Sequence, residues 1–193
     1  PFRLGREATI FKKTDSYKEV IRQIRDKDFL STIETDPGYG IYHFDGHRNC
    51  GFSCSPEKTR QLNGICPICK KNLTVGVEYR VEELSKKGRE GGFRAKGAKP
   101  YYKILPLHEM IALSFNLGIE AKRTWEYYNT LISKFGNEFN ILLHLTKDEM
   151  IKNSVDEKII ELILLNRDGK IKVKPGYDGI YGKAVLGEKQ ITL

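Results

Sequence analysis

The 193-residue sequence has no apolar run approaching the ~18 residues needed to span a bilayer. Its start, PFRLGREATIFKK, lacks the apolar core of a secretory signal. It has no internal repeat and no low-complexity tract, so a solenoid or a disordered tail is not indicated. HExxH, GxSxG and GxxxxGK[ST] are all missing, which leaves no familiar metalloprotease, hydrolase or phosphate-loop signature. Cysteine is scarce: the four present all fall between positions 50 and 69. Without a secretory signal they read as reduced thiols in a cytoplasmic setting, with no membrane association.

What is abundant is positive charge. Lys and Arg number 33 against 25 Asp and Glu, a net charge of +8. That excess suggests a polyanionic partner, nucleic acid being the commonest, or else a merely basic surface. The chain opens on Pro1, which is expected of a fragment or of a chain that has lost its initiator Met.

The cysteines are spaced C-x3-C-x11-C-x2-C as Cys50, Cys54, Cys66 and Cys69. Two close pairs joined by a short loop can set four thiolates at the corners of a tetrahedron, the arrangement of a structural zinc ion. Cys66-Pro67-Ile68-Cys69-Lys70 has the form of a knuckle. Ser55 followed by Pro56 predicts the start of a short helix that Asn63-Gly64 ends. Two disulfides or unrelated buried thiols are the alternatives, and His43 or His47 could stand in for Cys50. With four sulfur ligands the shell closes, and the metal is structural rather than catalytic. His43, Asp45 and His47 in HFDGHR have strand-like spacing that could gather a catalytic metal; a hydrogen-bonded turn is the other reading.

Elsewhere, Ser16-x-x-Glu19, Thr146-x-x-Glu149 and Ser154-x-x-Glu157 predict capped helix starts. The first leads into Tyr17, Val20, Ile21 and Ile24 at helical spacing. FLSTIET and GYGIYHF read as strands about the turn Asp36-Pro37-Gly38. A helix from near Val77 is expected to end at Gly88, LHEMIALSFNLG to end at Gly118, and residues 121–135 to form an amphipathic helix. EFNILLHL reads as a buried strand or extended segment. KIKVKPGYDGIYGKAVL reads as a strand running into a glycine–tyrosine loop. The fold class is α+β: a four-cysteine zinc module (47–100, with a basic loop) between an α/β tail (1–46) and a mostly helical domain (101–193).

In order, LGREAT, TIE, YHFDGHR, CPICKKNLTVGVEYRVEEL, ILPLHEMIA and VKPGYDGIYGK resemble the endonuclease Q family. These are metal-dependent DNA repair nucleases built on a PHP (polymerase and histidinol phosphatase) domain. The resemblance covers nearly the whole chain. It implies that residues 1–46 are the tail of a PHP barrel whose metal motifs precede this sequence. Mg2+ or Mn2+ would belong to that missing N-terminal PHP domain, which would be a partner if the chain is a fragment, and Zn2+ to this chain. The family cleaves DNA 5′ to deaminated bases such as uracil or hypoxanthine, and at abasic sites. The present chain would then be a DNA-binding part, inactive alone; a stand-alone zinc-containing nucleic-acid-binding or scaffold protein is the alternative. A complete metalloenzyme built on His43, Asp45 and His47 is the third reading.

Candidate DNA contacts are Arg60, Lys70, Lys71 and Arg80, with Lys86, Lys87, Arg89, Arg94, Lys96 and Lys99 of a glycine-rich basic loop. Tyr177 and Tyr181 could stack on bases, or pack as part of a turn.

Overall fold

The structure, a computed structural model, describes residues 6–85 and 93–185. The chain divides into two compact units that interleave along the sequence. One holds residues up to Thr35 together with Lys99–Ile171; the other holds Asp36–Ala98 and the tail from Lys172. No described helix is long and apolar enough to cross a membrane.

The first unit is a small sheet with helices. β1 (Ala8–Ile10) runs antiparallel to β2 (Ser31–Glu34), and β2 pairs in parallel with β5 (Tyr101–Lys103). Between β1 and β2 lies α1 (Tyr17–Arg25). Its Ser16 makes no side-chain cap, and the Glu19 carboxylate that would complete a capping box is held by Arg22 at 2.7 Å. Nor is the apolar stripe its buried face: Tyr17 and Ile24 are exposed while Gln23 is buried, exchanging hydrogen bonds with the Lys12 backbone. That short polar zip fixes the turn between β1 and α1.

The core of this unit is helical. α4 (Leu107–Ser114), α5 (Lys122–Phe135), α6 (Lys147–Lys152) and α7 (Glu157–Arg167) bury Leu107, Met110, Ile111, Leu131, Met150, Ile159 and Ile163 completely. α4 stops earlier than expected: Asn116 takes a left-handed turn (φ 52°) and Leu117 N–H bonds back to Ala112. Gly136 ends α5 at φ 87°, as its position predicts. Thr146 and Glu149 form the reciprocal capping box of α6. The α7 cap is Asp156 rather than Ser154, because Ser154 (φ 55°) is used in the turn that closes α6. EFNILLHL is helical, not extended: Asn140–His144 form a π-helical turn. A short apolar run does not tell a buried helix from a buried strand. Here the side chain of Arg167 decides, donating to the carbonyl oxygens of Ile141, Leu142 and Leu145 at 2.7–2.9 Å.

The second unit is built on turns and hairpins. Asp36 caps a single 3-10 turn, Pro37–Tyr39. GYGIYHF is not a strand; its backbone is engaged by the tail, with Phe44 N–H on Gly176 O and Gly182 N–H on Tyr39 O. β3 (Asp45–His47) and β4 (Phe52–Cys54) form an antiparallel hairpin closed by a 3-10 turn, Arg48–Cys50. Two helices follow, α2 (Pro56–Gln61) and α3 (Val77–Leu84). In the tail, β6 (Lys172–Lys174) and β7 (Lys183–Val185) pair around the loop PGYDGIYG. Glycine is required in that loop: a Cβ on Gly176 would lie 2.3 Å from Gly40 O and 2.5 Å from Ile180 O.

Candidate metal centre and its surroundings

The hairpin register decides which side chains meet. His47 pairs with Phe52 at the rung beside the turn, and Cys50 lies within the turn itself. Gly51, at φ 61°, returns the chain into β4. The second pair sits on a knuckle: Cys66 N–H bonds Lys71 O, Lys70 N–H bonds Cys66 O, and Lys70 takes φ 63°. This turn aims Cys66 and Cys69 at the hairpin tip.

The outcome is a cluster of His47, Cys50, Cys66 and Cys69, whose donor atoms all lie within 4.8 Å of one another. His47 Nδ1 is 3.1 Å from Cys50 Sγ and 3.2 Å from Cys69 Sγ. Cys54, expected as the fourth sulfur, is not in this set. It pairs with Asp45, two residues farther from the tip, which at about 3.3 Å per residue carries it some 6–7 Å away. Its Sγ lies instead 3.3 Å from Thr59 Oγ1, within α2. Ser55 caps that helix and Pro56 opens it, as the sequence indicates. So His47 takes the fourth place, although it was Cys50 that a histidine was expected to replace.

Three thiolates and one imidazole nitrogen are a recurrent structural zinc set. The electrostatics prepare it. Burial pushes the Cys50 thiol up, and hydrogen bonding to Cys69 and Cys66 adds to that. Burial acts upward on Cys66 too, but the Cys69 and Ile68 N–H groups and the His47 ring outweigh it and lower the thiol below its usual range. A thiolate at Cys66 is therefore favoured by the knuckle backbone before any metal arrives.

His43, Asp45 and His47 do not converge. His43 faces Glu78 (3.9 Å) and stacks on Phe44, while His47 joins the cysteines. The fully buried Asp45 accepts the Gly76 N–H at 2.6 Å, at the N-terminus of α3. The hydrogen-bonded turn is the reading that fits, and among the described residues these three form no metal group.

The expected DNA contacts fare unevenly. Arg60 is tied to Glu82 at 2.5 Å and lies over the Tyr79 ring, joining α2 to α3. Arg80 pairs with Glu83 at 2.9 Å. Lys70 donates to Pro67 O, and Lys71 is exposed. Arg94 and Lys96 are exposed; in the other unit, Lys99 lies over Phe29. Lys86, Lys87 and Arg89 lie outside the described residues. Tyr177 is buried (9% exposed) against Gly46 and unavailable for stacking, whereas Tyr181 is 62% exposed.

Asp178 binds the tail to the metal hairpin. It accepts the Arg48 N–H at 2.6 Å and the Thr74 hydroxyl at 2.7 Å. The Arg48 N–H is the main cause holding this carboxyl below its usual range.

Comparison with known proteins gives a consistent picture. A family profile described as the MJ0043 C-terminal domain matches residues 106–170. The chain is 34% identical to protein MJ0043 of Methanocaldococcus jannaschii over 95% of its own length and 23% of that protein. It is 29% identical to YqxK of Bacillus subtilis over 82% of its length and 36% of that protein. It therefore spans about a quarter to a third of these relatives. Among solved structures it is similar to the lesion-specific endonuclease PfuEndoQ of Pyrococcus furiosus, with a TM-score of 0.79 at 27% identity. The match covers 98% of this chain and 47% of that one. A complex of endonuclease Q with a 27-mer duplex carrying an abasic lesion gives a TM-score of 0.78 at 27% identity, over 100% of this chain and 48% of that one.

Proposed function

We propose that this chain, whose fold matches endonuclease Q and is consistent with a C-terminal portion of it, is the DNA-engaging part of a repair endonuclease. The observation that carries this reading is the likeness across 98–100% of the chain to two endonuclease Q structures, one of them bound to a lesion-containing duplex. The net charge of +8 agrees with it. Basic side chains on phosphates give sequence-independent affinity with strong salt dependence. Exposing an altered base costs a few kcal/mol of unstacking, which contacts to both flanking backbones would offset.

In this reading the His47–Cys50–Cys66–Cys69 cluster holds zinc. A closed shell of four protein donors supplies shape and no open coordination position. Cleavage of the phosphodiester 5′ to a deaminated base or an abasic site is the work of Mg2+ or Mn2+ in a PHP domain. The barrel tail in residues 1–46 is the point of attachment to that domain. The chain alone binds DNA and does not cut it.

The test is direct. The 193-residue chain is titrated into fluorescent duplexes holding uracil, hypoxanthine, an abasic site or no lesion, and separately incubated with them and Mg2+ or Mn2+. Binding that weakens steeply with salt, without cleavage, is the expected result. No binding to any duplex overturns the reading. Metal-dependent cleavage by this chain overturns the assignment of catalysis to another domain, and its loss in His47→Ala would revive a site at His43, Asp45 and His47.

A further inference from the structure

Arg48 lies between two members of the metal cluster, and its surroundings differ from those of Arg60 and Arg80 in the same unit. Its backbone is fixed from both sides: it begins the 3-10 turn that ends at Cys50, and its N–H donates to Asp178. Its side chain is exposed and reaches over Gly179. A Cβ on that glycine would lie 3.2 Å from Arg48 Nη1 and 3.9 Å from Cζ. The Tyr42 hydroxyl lies 3.9 Å from the same point, and Tyr42 is 47% exposed. Gly179 is itself held in place, donating its N–H to Ile41 O at φ 86°. Two segments far apart in sequence, 42–48 and the loop at Gly179, thus gather a guanidinium and a phenol over one stretch of backbone without a side chain.

Among the described residues no carboxylate forms a hydrogen-bonded ion pair with this guanidinium, although its charge helps to lower the nearby Asp178 carboxyl. Arg60 and Arg80 are paired with Glu82 and Glu83, and both Asp178 oxygens are taken, by the Arg48 N–H and the Thr74 hydroxyl. A planar fork of donors without a hydrogen-bonded acid, laid over Gly179 because that residue has no Cβ and set beside a phenol hydroxyl, suits a phosphate group. Tyrosine hydroxyls and arginines are both common donors to nucleic-acid phosphates. We propose that Arg48 and Tyr42, gathered over Gly179, bind a phosphodiester of the DNA backbone; this rests on the DNA-binding reading above.

The experiment measures affinity of the zinc-loaded 193-residue chain for an abasic duplex and for the same duplex intact, across a salt series. Arg48→Ala is expected to weaken both by about tenfold and to lower the slope of log K against log salt by about 0.9, the signature of one lost phosphate contact. Arg48→Lys keeps the slope and recovers only part of the affinity, because the charge remains and the fork is lost. Tyr42→Phe weakens binding several-fold with the slope unchanged. Wild-type affinity and slope in Arg48→Ala, at full zinc content, overturn the proposal. Should Arg48→Ala lose zinc, Arg48→Lys and Tyr42→Phe decide, and wild-type affinity in both overturns it. If the wild-type chain binds no duplex, it is the DNA-binding reading that fails, and this proposal falls with it.

Discussion

His47 Nδ1 sits 3.2 Å from Cys69 Sγ, a residue 22 positions further along the chain. That contact joins the hairpin to the knuckle and leaves Cys54 outside the cluster. One zinc per chain is the expected content, measured by metal analysis of protein purified without chelator. His47→Ala and Cys66→Ser should lose it, and Cys54→Ser should keep it. Structural zinc contributes roughly 10–16 kcal/mol of binding energy to folding in small modules. Chelation should therefore expose the segment from Cys50 to Leu73 to proteolysis. Zinc retained by His47→Ala but lost from Cys54→Ser would restore the four-cysteine set.

Gly46 and Tyr177 form the second joint of the same unit. A Cβ on Gly46 would lie 2.3 Å from Tyr177 Cδ2 and 2.8 Å from Phe52 O. Because one of those atoms is backbone, the clash cannot relax by rotating a side chain. Gly46→Ala should destabilise by about 2 kcal/mol or more, as overpacking of a tight site does. Tyr181→Ala, on an exposed ring, should stay within about 0.5 kcal/mol. Thermal unfolding of the two variants separates a packed tyrosine from a free one; equal shifts would contradict the arrangement.

The sequence carried the parts of this unit more clearly than their pairing. The knuckle, the Ser55-Pro56 helix start and the Asn63-Gly64 stop are local signals, and each appears where its residues imply. Membership of the metal cluster is not local. It depends on which rung of β3–β4 lies beside the turn, and a period-2 strand gives His47 and Cys54 equal claims until the register is known. The same limit hid the interleaving of the two units, since β2 pairs with β5 across more than 60 residues and no spacing rule reports that. At Ser16 and Ser154 the capping pattern was present, but Ser16 makes no side-chain cap while Arg22 holds the Glu19 carboxylate, and the α6 turn takes Ser154.

His108 predicts a pH dependence of stability. It is 1% exposed and stacks on Trp125, and burial, aided by the charge of Arg6, lowers its pKa to about 4 from 6.5. The folded value is depressed, so the unfolded chain binds this proton first on acidification. Its contribution is fully present above pH 6.5 and is lost as pH falls toward 4. Allowing for solvent screening, the loss is about 1–2 kcal/mol. Urea unfolding at several pH values should show a shallower decline between these limits in His108→Gln than in wild type. Parallel curves would mean that the buried imidazole is not responsible.

Arg167 predicts a stability effect without any site chemistry. Its guanidinium crosses from α7 to the carbonyl end of the π-helical turn and satisfies three oxygens, those of Ile141, Leu142 and Leu145. Partial burial lowers its pKa, yet arginine stays charged at any physiological pH. Helix-end carbonyls left without donors are costly, and charge-assisted bonds contribute about 1.5–3 kcal/mol each before solvent competition. Arg167→Met should therefore cost about 2–4 kcal/mol, with much of the apolar stem retained. Arg167→Lys should fall between the two, since one ammonium cannot reach three oxygens held in a fork. Chemical unfolding followed by the Trp125 signal gives the comparison. A methionine variant within about 0.5 kcal/mol of wild type would show that the turn holds itself closed without this side chain.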